Sequence, residues 1–161
     1  MATHKIREII PSDAPWIFDA CQDSQTQFWT TIPRPYLLKH AHAYANGEIP
    51  EYKIWVIETE DSRPVGLISI HAIDMNGDAD LGYMVAPWGR GQGAAKDAIN
   101  LIEKYAQDDP RIVSLVACIS DLNIISQKVA ESSGLVKSEV AERTCPAGDI
   151  QTSAHMYRKT I

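Results

Sequence analysis

The chain has 161 residues, 45% hydrophobic and 22% charged, with a formal net charge of −6. That length fits one domain over residues 1–161 with a sizeable core, and the acidic balance disfavours non-specific nucleic-acid binding, which depends on neutralising phosphates. No apolar run is long enough to span a bilayer, and the start of the chain, through Arg7, lacks the apolar stretch of a signal peptide, so a cytoplasmic protein without a membrane partner is expected.

Residues 3–10 read as a first strand. Ser12 or Asp13 can cap a helix that tolerates Pro15 in its first turn. A second helix follows Pro35 and stops at Asn46-Gly47. Residues 52–59 and 65–73 are rich in β-branched and aromatic residues and flank a turn at Asp61–Pro64, an antiparallel hairpin. After a turn at Asn76-Gly77-Asp78, residues 79–85 form a strand with Leu81, Tyr83 and Val85 on one face and Asp80, Gly82 and Met84 on the other. A helical stripe then starts at Ala94 and ends before Pro110. Residues 112–119 are a continuous apolar run, a strand buried on both faces. Residues 123–133 read as a helix with Ile125 and Val129 inward and Gly134 as its stop. Residues 135–141 and 150–157 are two closing strands. The strand ending at Val85, the helix from Ala94 and the strand from Ile112 form a β-α-β unit with a right-handed crossover. The predicted class is α/β (α+β), a mixed sheet flanked by helices.

Cys21, Cys118 and Cys145 are far apart, and no histidine flanks them at ligand spacing. Neither a disulfide framework nor a metal site is expected, and Cys118, in an apolar run, reads as a buried, inert thiol. His40 and His42 stand two apart on a helix, do not share a face, and read as solvated.

The informative stretch runs from Leu81 to Lys96. Glycines at 89, 91 and 93 sit between a strand end and a helix start, where a ligand can approach without meeting a Cβ. The first amides of the helix lack intrahelical partners and point out of its positive end. That is a cradle for pyrophosphate, with Arg90 and Lys96 as local cations. The segment is not a P-loop. Gly89–Ala94 does fit the dinucleotide pattern, but Pro87 and Trp88 separate it from the strand and no further βαβ units follow, so a nicotinamide-dependent oxidoreductase is the weaker alternative.

Val85-x-Pro87-x-x-Arg90-Gly91-Gln92-Gly93-Ala94-Ala95 resembles the acetyl-CoA signature of the GNAT family of N-acetyltransferases, [QR]-x-x-G-x-[GA], met by Arg90, Gly93 and Ala95. Asn123-x-x-Ser126-x-x-Val129-Ala130-Glu131-x-x-Gly134-Leu135 resembles the family's second motif, and Phe28–Tyr36 looks like the RimJ/RimL-type branch. The resemblance covers nearly the whole chain. It implies a mostly antiparallel sheet of about seven strands with about four helices. It also implies acetyl-CoA as co-substrate and an amine acceptor, either a protein N-terminus or a small molecule.

The resemblance assigns the cofactor's pantetheine arm to main-chain groups of Met84 and Val85 and to the side chain of Asn123. The pyrophosphate goes to the loop Arg90, Gly91, Gln92, Gly93, Ala94 and Ala95, chiefly to amides from Gly91 onward. A bulge in the strand before the loop opens the slot for the thioester. Transfer is direct, without an acyl-enzyme, and a main-chain amide at or near Val85 faces the oxyanion. Asp80 is the expected general base, about 10 Å from Tyr83 and acting through water. Many relatives place a thiol-protonating tyrosine where this chain has Ala130; Ser126, one turn earlier, is the expected replacement. Trp29, Tyr36 and Trp88 are candidates for the acceptor pocket, and Trp16 and Trp55 for the core. A module that binds acetyl-CoA without turnover is the alternative from a different class. The residues do not settle the oligomeric state, for which a homodimer is the working expectation.

Overall fold

The computed structural model describes residues 3–141 and 143–161. Among them, eight strands form one sheet: β1 His4–Glu8, β2 Lys53–Thr59, β3 Pro64–Ile73, β4 Asp78–Val85, β5 Ser114–Ser120, β6 Val136–Lys137, β7 Arg143–Ala147 and β8 Ile150–Thr160. The spatial order is β1-β2-β3-β4-β5-β8-β6, with β7 paired to β8. The β4–β5 ladder is parallel and the other ladders are antiparallel. Five α-helices flank the sheet: α1 Ala14–Ala20, α2 Ser24–Trp29, α3 Leu38–Ala45, α4 Ala94–Gln107 and α5 Ile124–Ser132.

Strand alternation divides the core in two. Trp55, Ile57, Ile68, Ile70 and Leu81 face α4, while Ile54, Val56 and Leu67 face α1 and α3. α4 docks through Ala94, Ala95, Ala98, Ile99, Ile102 and Ala106, all buried. Small residues on this stripe bring its axis close to the sheet, and each fully buried isoleucine adds about 1.5–3 kcal/mol over exposure. The rim is tied by charge. Arg7 grips Asp13 with two bonds, 2.7 and 2.9 Å, and Glu58 with a third of 2.7 Å. His4 Nδ1 lies 2.7 Å from Asp97 Oδ2 and joins β1 to α4.

The predicted mixed, mostly antiparallel sheet and the β-α-β unit are present. The chain has one strand and one helix more than expected, β7 and α2. α2 is six residues long and polar through Ser24-Gln25-Thr26-Gln27, so no apolar period announces it. Its first turn is held by Asp23, whose side chain accepts from Thr26 N at 2.9 Å. β7 contains Pro146, which breaks the usual strand signature. The strand expected over residues 135–141 shrinks to β6. Ile125 is not inward: it is 79% exposed. Burial grows along α5 and becomes complete at Ala130, so the first turn sits at the rim. Trp55 is buried as expected. Trp16 is half-buried, and its indole N–H donates to Asp13 at 2.8 Å.

Candidate active site

β4 and β5 pair only at Asp78–Ser114, Ala79–Leu115 and Asp80–Val116. Beyond these pairs β4 runs to Val85 and β5 to Ser120 without a shared ladder. The strands therefore part, and their facing edges keep backbone donors and acceptors unspent on each other. A cavity of about 630 Å³ is lined by Gly82, Tyr83 and Met84 on one wall and by Cys118 and Ser120 on the other. It reaches Asn123 and Ser126 at the start of α5, and Tyr36, Tyr44 and Trp29 on the α1–α3 face.

The expected bulge in β4 is absent. Gly66 to Ile70 pair in regular register with Val85 to Leu81, and the shift falls between Ile70 and Ile73. The extra residue therefore belongs to β3, around His71-Ala72, opposite Asp80. Side-chain facing confirms it, since Ile70 and Ile73 both pack on the α4 side although three residues apart.

At the end of β4 a 3-10 turn, Pro87–Gly89, leads into Gly91 and Gly93, with φ of +76° and +79°. A Cβ built on either would meet nothing within 4 Å. The left-handed dihedrals call for glycine at both positions, and no side chain fills the space beside them. Among the described residues, no acceptor bonds the amides of Gly91 through Ala95. The loop thus fits an anionic group, in keeping with the pyrophosphate of acetyl-CoA. Arg90 is not a free cation there: its Nη2 lies 2.5 Å from Asp23 Oδ2, and its Nε donates to Val85 O at 3.3 Å. It braces α2 against the loop.

Asn123 caps α5, its Oδ1 accepting from Ser126 N at 3.2 Å. Ser126 Oγ is 2.9 Å from the hydroxyl of Tyr83, which also contacts Ser126 O at 3.2 Å. Burial pushes the Tyr83 phenol up to about 12, so it stays protonated at neutral pH. Ala130, the position where many relatives carry tyrosine, is fully buried. Tyr83 brings a phenol to the slot from the opposite side, from β4 rather than α5. The sequence offered its alternating β4 position, but no sign that its hydroxyl would meet Ser126.

On the other face Asp80 sits at the last paired position, with its carboxylate 3.5 Å from Arg143 Nη1 on β7. His71 reaches across from the bulge of β3 and its ring covers Gly82. A Cβ at Gly82 would lie 2.3 Å from His71 Nε2. The two Glu51 oxygens lie 2.9 and 2.7 Å from His71 Nδ1. Neither residue was singled out from the sequence, because the pair spans twenty positions and depends on the bulge.

The thiols also need correction. Cys118 is half-buried, lines the cavity, and its Sγ lies 3.0 Å from that of Cys145. The hydrogen bond from Cys145 and the nearby Arg143 guanidinium hold the Cys118 thiol below its ordinary value. Cys118 is therefore not a buried, inert group. Trp29 and Tyr36 line the cavity, as does His40, whose Nδ1 accepts from Leu37 N at 3.0 Å. Trp88 does not line it: its indole donates to Pro64 O at 2.9 Å and packs on the α4 side.

Comparison with known proteins agrees with this geometry. No curated protein sequence matches the chain. Among solved structures, RimL, the ribosomal L7/L12 α-N-protein acetyltransferase in complex with coenzyme A, is similar with a TM-score of 0.85 and 17% identity, over 100% of this chain and 96% of that one. The microcin C7 self-immunity acetyltransferase MccE, in complex with acetyl-CoA and AMP, has a TM-score of 0.86 and 16% identity, over 100% of this chain and 94% of that one. The Vibrio cholerae spermidine N-acetyltransferase, in complex with CoA and spermine, has a TM-score of 0.82 and 16% identity, over 99% of this chain and 96% of that one. At these identities the likeness establishes the fold. The acetyltransferase (GNAT) domain family matches in sequence over residues 5–136. With most of its length covered by that match, the chain belongs to the GNAT family of acetyltransferase domains.

Proposed function

We propose that the chain transfers the acetyl group of acetyl-CoA directly to a primary amine held in the same slot. The observation that carries this reading is the parting of β4 from β5 beyond Asp80, beside a glycine turn with unbonded amides. A strand edge left open offers amides and carbonyls to an extended, amide-bearing chain. Met84 and Val85 would bind the pantetheine arm along that edge, with Asn123 across from them. The amides of Gly91, Gln92, Gly93, Ala94 and Ala95 would hold the pyrophosphate, and Arg90 would keep the loop in shape through Asp23.

When bound, acetyl-CoA supplies an activated thioester carbonyl. The chain's own task is to place an amine in line with it, which can account for much of the rate. An amide at or near Val85 would face the developing oxyanion. Ser126, backed by the Tyr83 hydroxyl, would hand a proton to the departing sulfur. Asp80, held by Arg143, would mark the closed end of the slot, where β4 last pairs with β5.

RimL, by its name, acts on a ribosomal protein and the Vibrio enzyme on spermidine. We place this chain in the RimJ/RimL-type branch, as a cytoplasmic enzyme acting on a protein N-terminus or a small cationic amine. Among the described residues no helix is long and apolar enough to cross a membrane. Calorimetry with acetyl-CoA tests the first step: binding tighter than about 1 mM is expected, and the absence of heat would overturn the reading. Thiol release across peptides, polyamines, aminoglycosides and amino acids tests the second. Binding without release from any of them would reduce the protein to a cofactor-binding module.

A further inference from the structure

We infer that His71, oriented by Glu51, is the catalytic residue that takes the proton from the acceptor's ammonium. The inference rests on the acetyl-transfer reading and adds a base that the sequence did not suggest.

Three independent features aim this imidazole at the slot. The bulge of β3 falls at His71-Ala72, directly opposite the point where β4 leaves β5. Bulges re-aim side chains in this way next to functional sites. Gly82, the second residue of β4 beyond the last β5 pair, has no side chain, and the space a Cβ would fill is occupied by His71 Nε2 and Cε1. The ring therefore lies against the backbone of the slot wall, in the same cavity as Tyr36, Tyr44 and Met84. Finally, Glu51 binds Nδ1 with both oxygens and is itself largely buried, 12% exposed at its side chain. A carboxylate there fixes the ring proton on Nδ1 and leaves Nε2 as an acceptor. Among the described residues nothing bonds Nε2.

Asp80 is less suited to the same task. Its carboxylate is turned to Arg143 at 3.5 Å, and it does not line the cavity that His71 enters. In the reaction two protons leave the nitrogen as the C–N bond forms and the C–S bond breaks. His71 Nε2 takes the first, which frees the lone pair, and later releases it to solvent. The second passes to the sulfur by way of Ser126. The sum is an amide, a thiol and one proton in solution.

The charged and titratable groups around the ring are Glu51 ahead of β2, Asp80 on β4 and Tyr44 on α3. The hydrogen bond from Glu51 raises the imidazole above its ordinary value, against the opposing effect of burial, and Asp80 adds to the rise. The basic form is the active one, so the rate should climb with pH through that raised value. His71→Gln should lower kcat about 100-fold and abolish that limb, with acetyl-CoA binding by calorimetry unchanged. Glu51→Gln should move the limb to lower pH, and the His71 Cε1 proton, followed by NMR, should titrate lower by the same amount. Glu51→Asp should restore part of both.

Gly82→Ala, which displaces the ring, supplies a second route. Combined with His71→Gln it should cost no more than the worse single change, because both remove one interaction. An unchanged limb in His71→Gln would overturn the inference, as would loss of the limb in Asp80→Asn alone. An identical NMR titration in wild type and Glu51→Gln would do the same. If the wild-type protein acetylates no amine at all, the acetyl-transfer reading fails first, and the NMR comparison still decides whether the His71–Glu51 pair exists.

Discussion

Tyr83 on β4 and Ser126 at the start of α5 meet hydroxyl to hydroxyl at 2.9 Å inside the slot. Two elements that share no ladder are thus joined, and on the proposed reading this is where the thiolate departs. Coenzyme A thiolate is a tolerable leaving group, so the proton it receives need not be worth the full range of general-acid catalysis. Ser126→Ala is expected to lower kcat about tenfold, below the 10²–10⁴ common for general acids. Tyr83→Phe should act similarly, and the double variant should be little worse than either. Steady-state kinetics of the four proteins checks this; fully additive losses would show that the two hydroxyls act separately.

Gly93 provides a test of the anion cradle. Its φ of +79° puts any L side chain in the left-handed region, at a cost of about 1–2 kcal/mol. The space around it is open. Gly93→Ala should therefore lower the melting temperature only modestly, while weakening acetyl-CoA binding tenfold or more, about 1.4 kcal/mol. A normal affinity in this variant would remove the loop from the binding site.

The three thiols should separate by reactivity. Cys118 is held below its ordinary value by Cys145 and Arg143, whereas burial pushes Cys21 up to about 11. Only the thiolate alkylates. With iodoacetamide at pH 7, peptide mapping should find Cys118 labelled well ahead of Cys21 and of Cys145, whose thiol its bond to Cys118 pushes up. Acetyl-CoA should protect Cys118, because it lines the slot. Labelling of Cys21 at a comparable rate would contradict the described packing.

Asp13 should carry acid sensitivity. Burial would raise its carboxyl, but the Arg7 bonds, the Ile10 amide and the Trp16 indole outweigh that and hold it below the usual carboxylate range. With the folded value below the unfolded one, its contribution is present above about pH 4 and is lost as pH falls through the folded value. Asp13→Asn should cost about 2 kcal/mol at pH 7. Urea titrations at pH 7 and pH 3 should show the gap between variant and wild type narrowing in acid; a constant gap would refute the assignment.

Much of the fold could be read in advance, because local rules operate along single segments. The alternation of Leu81, Tyr83 and Val85 against Asp80, Gly82 and Met84 emerged as expected, as did the apolar stripe of α4. α2 and β7 were missed. α2 has no apolar period and is held by Arg90, distant in the chain, while β7 contains Pro146 and pairs with β8 as a hairpin. Ile125 was misplaced because helical period says which side is apolar, not how far along the helix the core extends.

From the sequence alone came the glycine turn, its place between strand and helix, the order of elements and the family motifs. These are settled by backbone dihedrals and by spacing over fewer than twenty residues. The tertiary structure alone decided that β4 and β5 part after Asp80, that a bulge in β3 turns His71 onto Gly82, that Glu51 holds it, and that Tyr83 meets Ser126. Each of these joins residues far apart in the chain through packing of the sheet as a whole, and no local propensity encodes where two strands stop pairing.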